Sequence, residues 1–249
     1  LPRFAVPAAL CALFVLVLSG LLSTSAGASD LDVAPPLEAQ VAVTSIILPK
    51  PVAGASGDGS IAVDSSGRLH VAFEIPLADD VIYATCASSC ELESSWNSLV
   101  VGDNGEFGGR PIIDLTASGQ PRIMYIRERS GWGQVPMVVY NRCNGGCTTA
   151  SNWAELDVQA INRVGSSATT RFFVLDNQDE PHAVVDGPSE QLFYFTCQSG
   201  CDADAANWTY TSLPGIVGRD AAIAVDANRV PHVVYRGHDN GVSSDNDLI

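Results

Sequence analysis

Polar and apolar positions alternate along this chain in short runs, and the runs recur in the same order. Within His70–Ile75, Val71, Phe73 and Ile75 alternate with His70, Ala72 and Glu74, the period-two pattern of a β-strand. An apolar run, Ser60–Val63, precedes it and ends in Asp64-Ser65-Ser66-Gly67, a turn whose residues satisfy tight backbone geometry. The hairpin Leu77-Ala78-Asp79-Asp80 leads into a third run, Val81–Cys86, matched by Met137–Cys143 and Leu192–Cys197. A fourth run accompanies a tryptophan, as in Asn97–Val101 and Trp208–Ser212. No stretch combines a helical period with caps, so the pattern predicts an all-β chain built from four-stranded units.

Two motifs fix the register of these units. The first is Tyr-x-x-Cys-x-x-x-Cys followed by Trp: Tyr83, Cys86, Cys90 and Trp96; Tyr140, Cys143, Cys147 and Trp153; Tyr194, Cys197, Cys201 and Trp208. The second runs upstream: Ile61-Ala62-Val63-Asp64, then Gly67 and His70-Val71-Ala72-Phe73. It returns around Asp176 and His182 and around Asp226 and His232, while the second copy carries Thr116 and Arg122 in place of Asp and His. Self-similarity every 50–60 residues or so marks a repeat architecture. One four-stranded sheet cannot bury both faces. Radial stacking does bury them, so the expected fold is a β-propeller, with a string of β-sandwich modules as the alternative.

The first residues belong to a different pattern. Arg3, the apolar run Ala8–Leu18 and the small-residue site Ala26-Gly27-Ala28 read as a secretory signal peptide over residues 1–28, with an uncleaved anchor as the alternative. Its removal takes out Cys11 and leaves six cysteines. An even number in an exported chain points to disulfides: Cys86–Cys90, Cys143–Cys147 and Cys197–Cys201, each closing one hairpin. The chain is therefore expected outside the cytoplasm, secreted or at the cell surface. Residues 29–40, with Pro35-Pro36, read as a linker. Residues 41–249 form the propeller, with units over 59–101, 110–157, 170–213 and 220–249. The last unit stops before its cysteine motif, so about three and a half blades are expected, as an open arc. Val41–Leu48 has strand character and could complete a last blade in a closed ring. An open arc would expose Ile61, Val63, Val71 and Phe73 at one end and Ile223, Val225, Val233 and Tyr235 at the other.

Composition narrows the function. The formal charge is −15, with 13 Lys and Arg against 28 Asp and Glu, and the one lysine is Lys50. That balance excludes a nucleic-acid binder, which needs clustered cations. Beyond the signal segment, no stretch would span a membrane.

The combination of Ile61-Ala62-Val63-Asp64 and Gly67, the His70-Val71 strand, and Tyr83, Cys86, Cys90 and Trp96 resembles secreted bacterial repeat proteins of the sialidase-like β-propeller superfamily. The resemblance covers residues 41–249. It implies the architecture. Sialidases carry Asp-box turns of the form Ser-x-Asp-x-Gly-x-x-Trp, an arginine triad, a tyrosine nucleophile and acidic partners. None of these can be matched residue by residue here, so no catalytic role is carried over.

The remaining candidates read as structural. His70, His182 and His232 share one repeat position, and equivalent positions in a ring do not converge on a metal. Each is expected to bond a turn carbonyl or a neighbouring carboxylate; His238 lies outside the motif. Asp64, Asp176 and Asp226 are turn residues. Trp96, Trp153 and Trp208 are expected to pack over the hairpin or between blades. The acidic turns Asp176, Asp179 and Glu180, Asp202 and Asp204, and Asp239, Asp245 and Asp247 leave calcium open, though none has the Asp-x-Asp-x-Asp-Gly loop. No phosphate loop or nucleophile elbow occurs, and no cofactor is implied. Two readings follow. One is a non-catalytic module that binds a protein or a glycan. The other is a sialidase-like glycoside hydrolase whose active site lies partly in blades outside this sequence.

Overall fold

The computed structural model describes residues 45–103, 109–127, 135–161, 171–187, 191–237 and 247–248. Residues 1–44, where the signal segment and the linker are expected, His238, Asp239, Asp245 and the Asp247 side chain lie outside the described residues.

Strands follow one another as antiparallel meanders. The first sheet contains β1 (Gly59–Val63), β2 (Leu69–Ile75), β3 (Asp80–Cys86) and β4 (Asn97–Asp103). The second contains β5 (Gly109–Leu115), β6 (Pro121–Arg127), β7 (Met137–Cys143) and β8 (Trp153–Ala160). The third unit contributes β9 (Phe173–Leu175), β10 (Pro181–Asp186), β11 (Gln191–Cys197) and the first part of β12 (Trp208–Val225). The fourth shares β12 and adds β13 (Pro231–Gly237) and β14 (Asp247–Leu248).

This last junction differs from the sequence reading, which ended one unit at 213 and began the next at 220. Instead β12 runs through both. It pairs with β11 up to Val217 and with β13 from Gly218, so units three and four form one six-stranded sheet. Asp220 adopts a left-handed backbone, φ 53°, where the β12–β13 register shifts. Arg110, φ 61°, does the same at the β5–β6 shift. Such bulges bend a strand without ending it.

The core lies between successive sheets. Tyr83, Val101, Ile113, Tyr125 and Trp153 pack units one and two together. Met124, Tyr140, Phe173, Phe195 and Trp208 join two and three, and Val174, Val184 and Ile223 join three and four. Units two and three are thus packed by a unit on each side, as in propeller blades, whereas units one and four have one neighbouring unit each, and the units form an open arc.

The exposed ends differ from expectation. Ile61 and Val63 are exposed, 61% and 59%, but Phe73 is buried. The cause is residues 45–56. They form no strand, yet Leu48 and Val52 cover Phe73, Ile75 and Ile82, and Ser98 Oγ donates to the Pro49 carbonyl at 2.6 Å. At the other end Ile223 is buried against unit three, while Val234 is 46% exposed. Among the described residues no helix is long and apolar enough to cross a membrane.

Candidate functional site

The two sequence motifs meet in three dimensions. His70 on β2 faces Thr85 across the β2–β3 ladder, so Tyr83, two residues away on β3, lies diagonally on the same face. His70 Nδ1 lies 2.7 Å from Tyr83 Oη, and its Nε2 lies 3.4 Å from Asp64 Oδ2. With the proton on Nε2, the ring donates to Asp64 and accepts the phenolic hydrogen. The third unit repeats this with His182, Tyr194 at 2.5 Å and Asp176 at 3.3 Å. In the fourth, His232 lies 3.4 Å from Asp226. The turn aspartate also accepts from its own loop: Asp64 Oδ1 from the Ser66 and Arg68 N–H groups, Asp176 Oδ1 from Gln178 and Glu180, Asp226 Oδ1 from Asn228 and Val230.

In the second unit Thr116 Oγ1 accepts from the Gln120 N–H. Arg122 replaces the histidine. It is buried, donates to the Pro121 and Cys143 carbonyls at 3.0 Å and reaches Asn144 Oδ1 at 2.8 Å. The repeated polar residues therefore hold turn, second strand and third strand together, and do not converge on a common point.

Each cysteine pair is at bonding distance, with Cα atoms 5.8, 5.7 and 5.6 Å apart. The tryptophan closes the same loop. Nε1 of Trp96, Trp153 and Trp208 donates to the carbonyl of Cys90, Cys147 and Cys201 at 2.9, 3.0 and 3.1 Å. Two of these rings also reach the preceding unit: Trp153 lies 4.8 Å from Tyr83, and Trp208 lies 5.0 Å from Tyr140.

Burial chiefly sets the electrostatics of the Asp64–His70–Tyr83 chain. It holds His70 below the ordinary histidine range, against the raising effect of Asp64, and pushes Tyr83 up. The Ser66 hydroxyl, more than any other group, holds Asp64 well below the usual carboxylate range. A histidine with a depressed folded pKa binds its proton later than in the unfolded chain. The stability its neutral form supplies is thus complete well above pH 6.5 and is lost as pH falls through that value. Burial raises Glu74, which gives the opposite slope. The diagnostic is therefore a difference. The stability gap between the native protein and His70→Gln should narrow from pH 7 to pH 5, as followed by calorimetry. A constant gap would contradict the assignment.

The groove of interest breaks the repeat. A cavity of about 550 Å³ lies where β1 and its turn run beside β5, bordered by Ser60, Asp64, Ser65, Asp114, Gly119 and Arg171. Ser60 Oγ joins the strands, donating to the Pro111 carbonyl and accepting the Ile113 N–H. Asp114 Oδ2 accepts the Leu175 N–H at 2.9 Å and lies 3.4 Å from the Arg171 guanidinium, which is 62% exposed. Sequence reasoning missed Ser60, Asp114 and Arg171 because it sought shared residues, and these are not shared; it passed over Gly119 because a glycine there matched Gly67. The signal was present in the aligned turns. Their fourth position is Gly67, Gly119, Asp179 and Arg229, always left-handed at φ 85°, 77°, 64° and 66°.

Among the described residues no cluster of His, Cys, Asp and Glu could hold a metal ion. Asp176 is occupied by its own loop, His182 and Arg229, and Asp202 by Arg142 at 3.3 Å. Asp204 caps the following single turn of 3-10 helix by accepting from Ala206.

No protein family and no curated protein sequence matches the chain. In shape it is similar to the NanB sialidase from Streptococcus pneumoniae, at 15% identity and TM-score 0.48, over 75% of this chain and 28% of that one. It is also similar to an α-L-arabinofuranosidase from Lactobacillus brevis, at 9% identity and TM-score 0.34, over 76% of this chain and 85% of that one. A third is a prolyl endopeptidase, at 12% identity and TM-score 0.37, over 78% and 28%. The chain thus spans 28% of the sialidase's length. The fold assignment rests on the strand pairing and packing described above, and these scores carry nothing about chemistry.

Proposed function

We propose that the chain is an exported, non-catalytic β-propeller module that binds a protein or a glycan in the groove between β1 and β5. One observation carries this reading. The groove is bordered by polar side chains that depart from the repeat, with Arg171 exposed in it, whereas the repeated Asp, His and Tyr residues are bonded to one another within their blades. A polar groove with a few fixed donors and acceptors suits recognition. The six paired cysteines fit an oxidising compartment, which supports export.

Arrays of glycans and of peptides test it. A captured ligand should be lost in Ser65→Tyr and in Ala117→Tyr, both at exposed positions bordering the groove, with the melting temperature unchanged. Glycoside turnover by the purified chain, abolished by the same substitutions, would overturn the non-catalytic reading.

A further inference from the structure

The fourth turn position has a second property: in each later unit it sits over the turn of the unit before. Arg229 reaches back to unit three, with Nε 2.5 Å from Asp176 Oδ2 and Nη1 2.8 Å from Gln178 Oε1, and it also pairs with Glu180. Asp179 reaches back to unit two and accepts the Ala117 N–H at 2.6 Å. Gly119 occupies this position over unit one. A Cβ placed on it would stand 3.5 Å from Asp64 Cβ and 3.7 Å from Asp64 Oδ2, ordinary contact distances.

The junctions differ in what they place there: Asp176 meets an arginine, and the turn of unit two gives a backbone N–H to an aspartate. Asp64 alone meets a glycine. Its Oδ2 has one neighbour among the described residues, His70 Nε2 at 3.4 Å, whereas Asp176 Oδ2 has both His182 and Arg229. The space that an arginine fills between units three and four belongs to the groove between units one and two, which both Asp64 and Gly119 border.

We propose that this opening over Asp64 is a socket for a guanidinium group carried by a partner peptide, taking the place that Arg229 takes over Asp176. This rests on the groove reading above and names its ligand as a peptide with an exposed arginine. The chain demonstrates the chemistry internally: the same turn, the same Asp–His pair and the same approach from the left-handed position hold a guanidinium one junction away. Charge favours it too, since the protein carries a formal −15 and Asp64 stays ionised at neutral pH. Two features limit affinity, one being the exposed Arg171 on the border of the same groove. The other is Arg68, which stands where unit three has Glu180, so the socket offers one carboxylate rather than two.

N-acetyl-arginine amide, titrated into the whole chain and followed by amide NMR shifts, is the direct test. Saturable shifts are expected in residues 64–66 and 117–119. The neutral isostere N-acetyl-citrulline amide should bind about tenfold more weakly, because it cannot form a charge-assisted bond. Gly119→Arg should fill the socket from within, as Arg229 does at φ 66°, abolishing the shifts. Asp64→Asn, with folding checked by circular dichroism, should abolish them without filling anything. Arg68→Glu should tighten binding several-fold by restoring the unit-three pattern. Equal binding of arginine and citrulline, or undiminished binding in Gly119→Arg, would overturn the socket. If array ligands sensitive to Ser65→Tyr persist when the arginine probe fails, the groove reading survives and the socket alone is wrong. If both fail, both are wrong.

Discussion

Trp208→Ala should cost about 3–5 kcal/mol of stability, the range for removing a large buried aromatic side chain. The ring is 7% exposed and does two jobs. Nε1 bonds the Cys201 carbonyl within its own unit, and the ring meets Tyr140 of the unit before in an edge contact. Truncation therefore opens a cavity in the largest buried cluster and leaves a loop carbonyl without its donor. Trp153→Ala should cost a similar amount, since that ring is 9% exposed and packs on Tyr83. Trp96 is the control. It bonds the Cys90 carbonyl in the same way, but it is only half-buried and packs against the buried cluster of its own unit, Phe73, Ile75, Ile82 and Ala84. Trp96→Ala should cost clearly less. Urea unfolding of the three variants measures this. Equal losses would mean that the tryptophans act only on their own hairpins, not as joints between blades.

That distinction marks what the sequence could tell. Three recurrences of Tyr, two Cys and Trp were enough for four-stranded units and for radial stacking, because strand periodicity and motif register are local properties. The contact of Trp208 with Tyr140 was only half legible. The Trp-to-hairpin bond depends on neighbours six or seven residues apart, whereas the inter-unit contact depends on how one sheet lies on the next. The continuous β12 was hidden for the same reason. Pro214-Gly215 reads as a break, but a strand that pairs with β11 along its first part and with β13 along its second needs no turn there. Covering of Phe73 by Leu48 and Val52 could not be read either, since apolar residues without strand pairing carry no register.

The candidate groove was the least legible part. A repeat draws attention to what is shared, and shared residues are those that every blade needs to close itself. Asp64, His70 and Tyr83 belong to that class. Gly119 and Arg229 occupy one aligned position with one backbone conformation but carry different side chains. Arginine in the left-handed region costs about 1 kcal/mol relative to glycine. Unit four bears that strain while unit two avoids it. The compensation at Arg229 is visible as its bonds to Asp176, Gln178 and Glu180. Comparing units for their differences, after aligning them by their likenesses, is what exposes the groove.

Reduction of the three disulfides should lower stability by about 6 kcal/mol in total. Closing so short a loop contributes about 2 kcal/mol in the chain-entropy account, and three such loops are present. A net folding free energy is only about 5–15 kcal/mol, so this loss would bring the domain near its unfolding threshold. The structure adds a second reason. Cys86, Cys143 and Cys197 are buried at the ends of β3, β7 and β11, while their partners lie in the outer loops and present the carbonyls that the tryptophans grip. Freeing the second cysteine therefore loosens the acceptor of each Trp bond. The disulfide and the tryptophan should be coupled. In the third unit, removing Cys197 and Cys201 together should make the further loss on Trp208→Ala smaller than it is in the native protein. Urea unfolding with and without a phosphine reductant, together with that mutant cycle, gives both quantities. Unchanged stability on complete reduction would mean that strand pairing alone defines these loops; strict additivity would mean that the Trp–carbonyl bond does not depend on the cross-link.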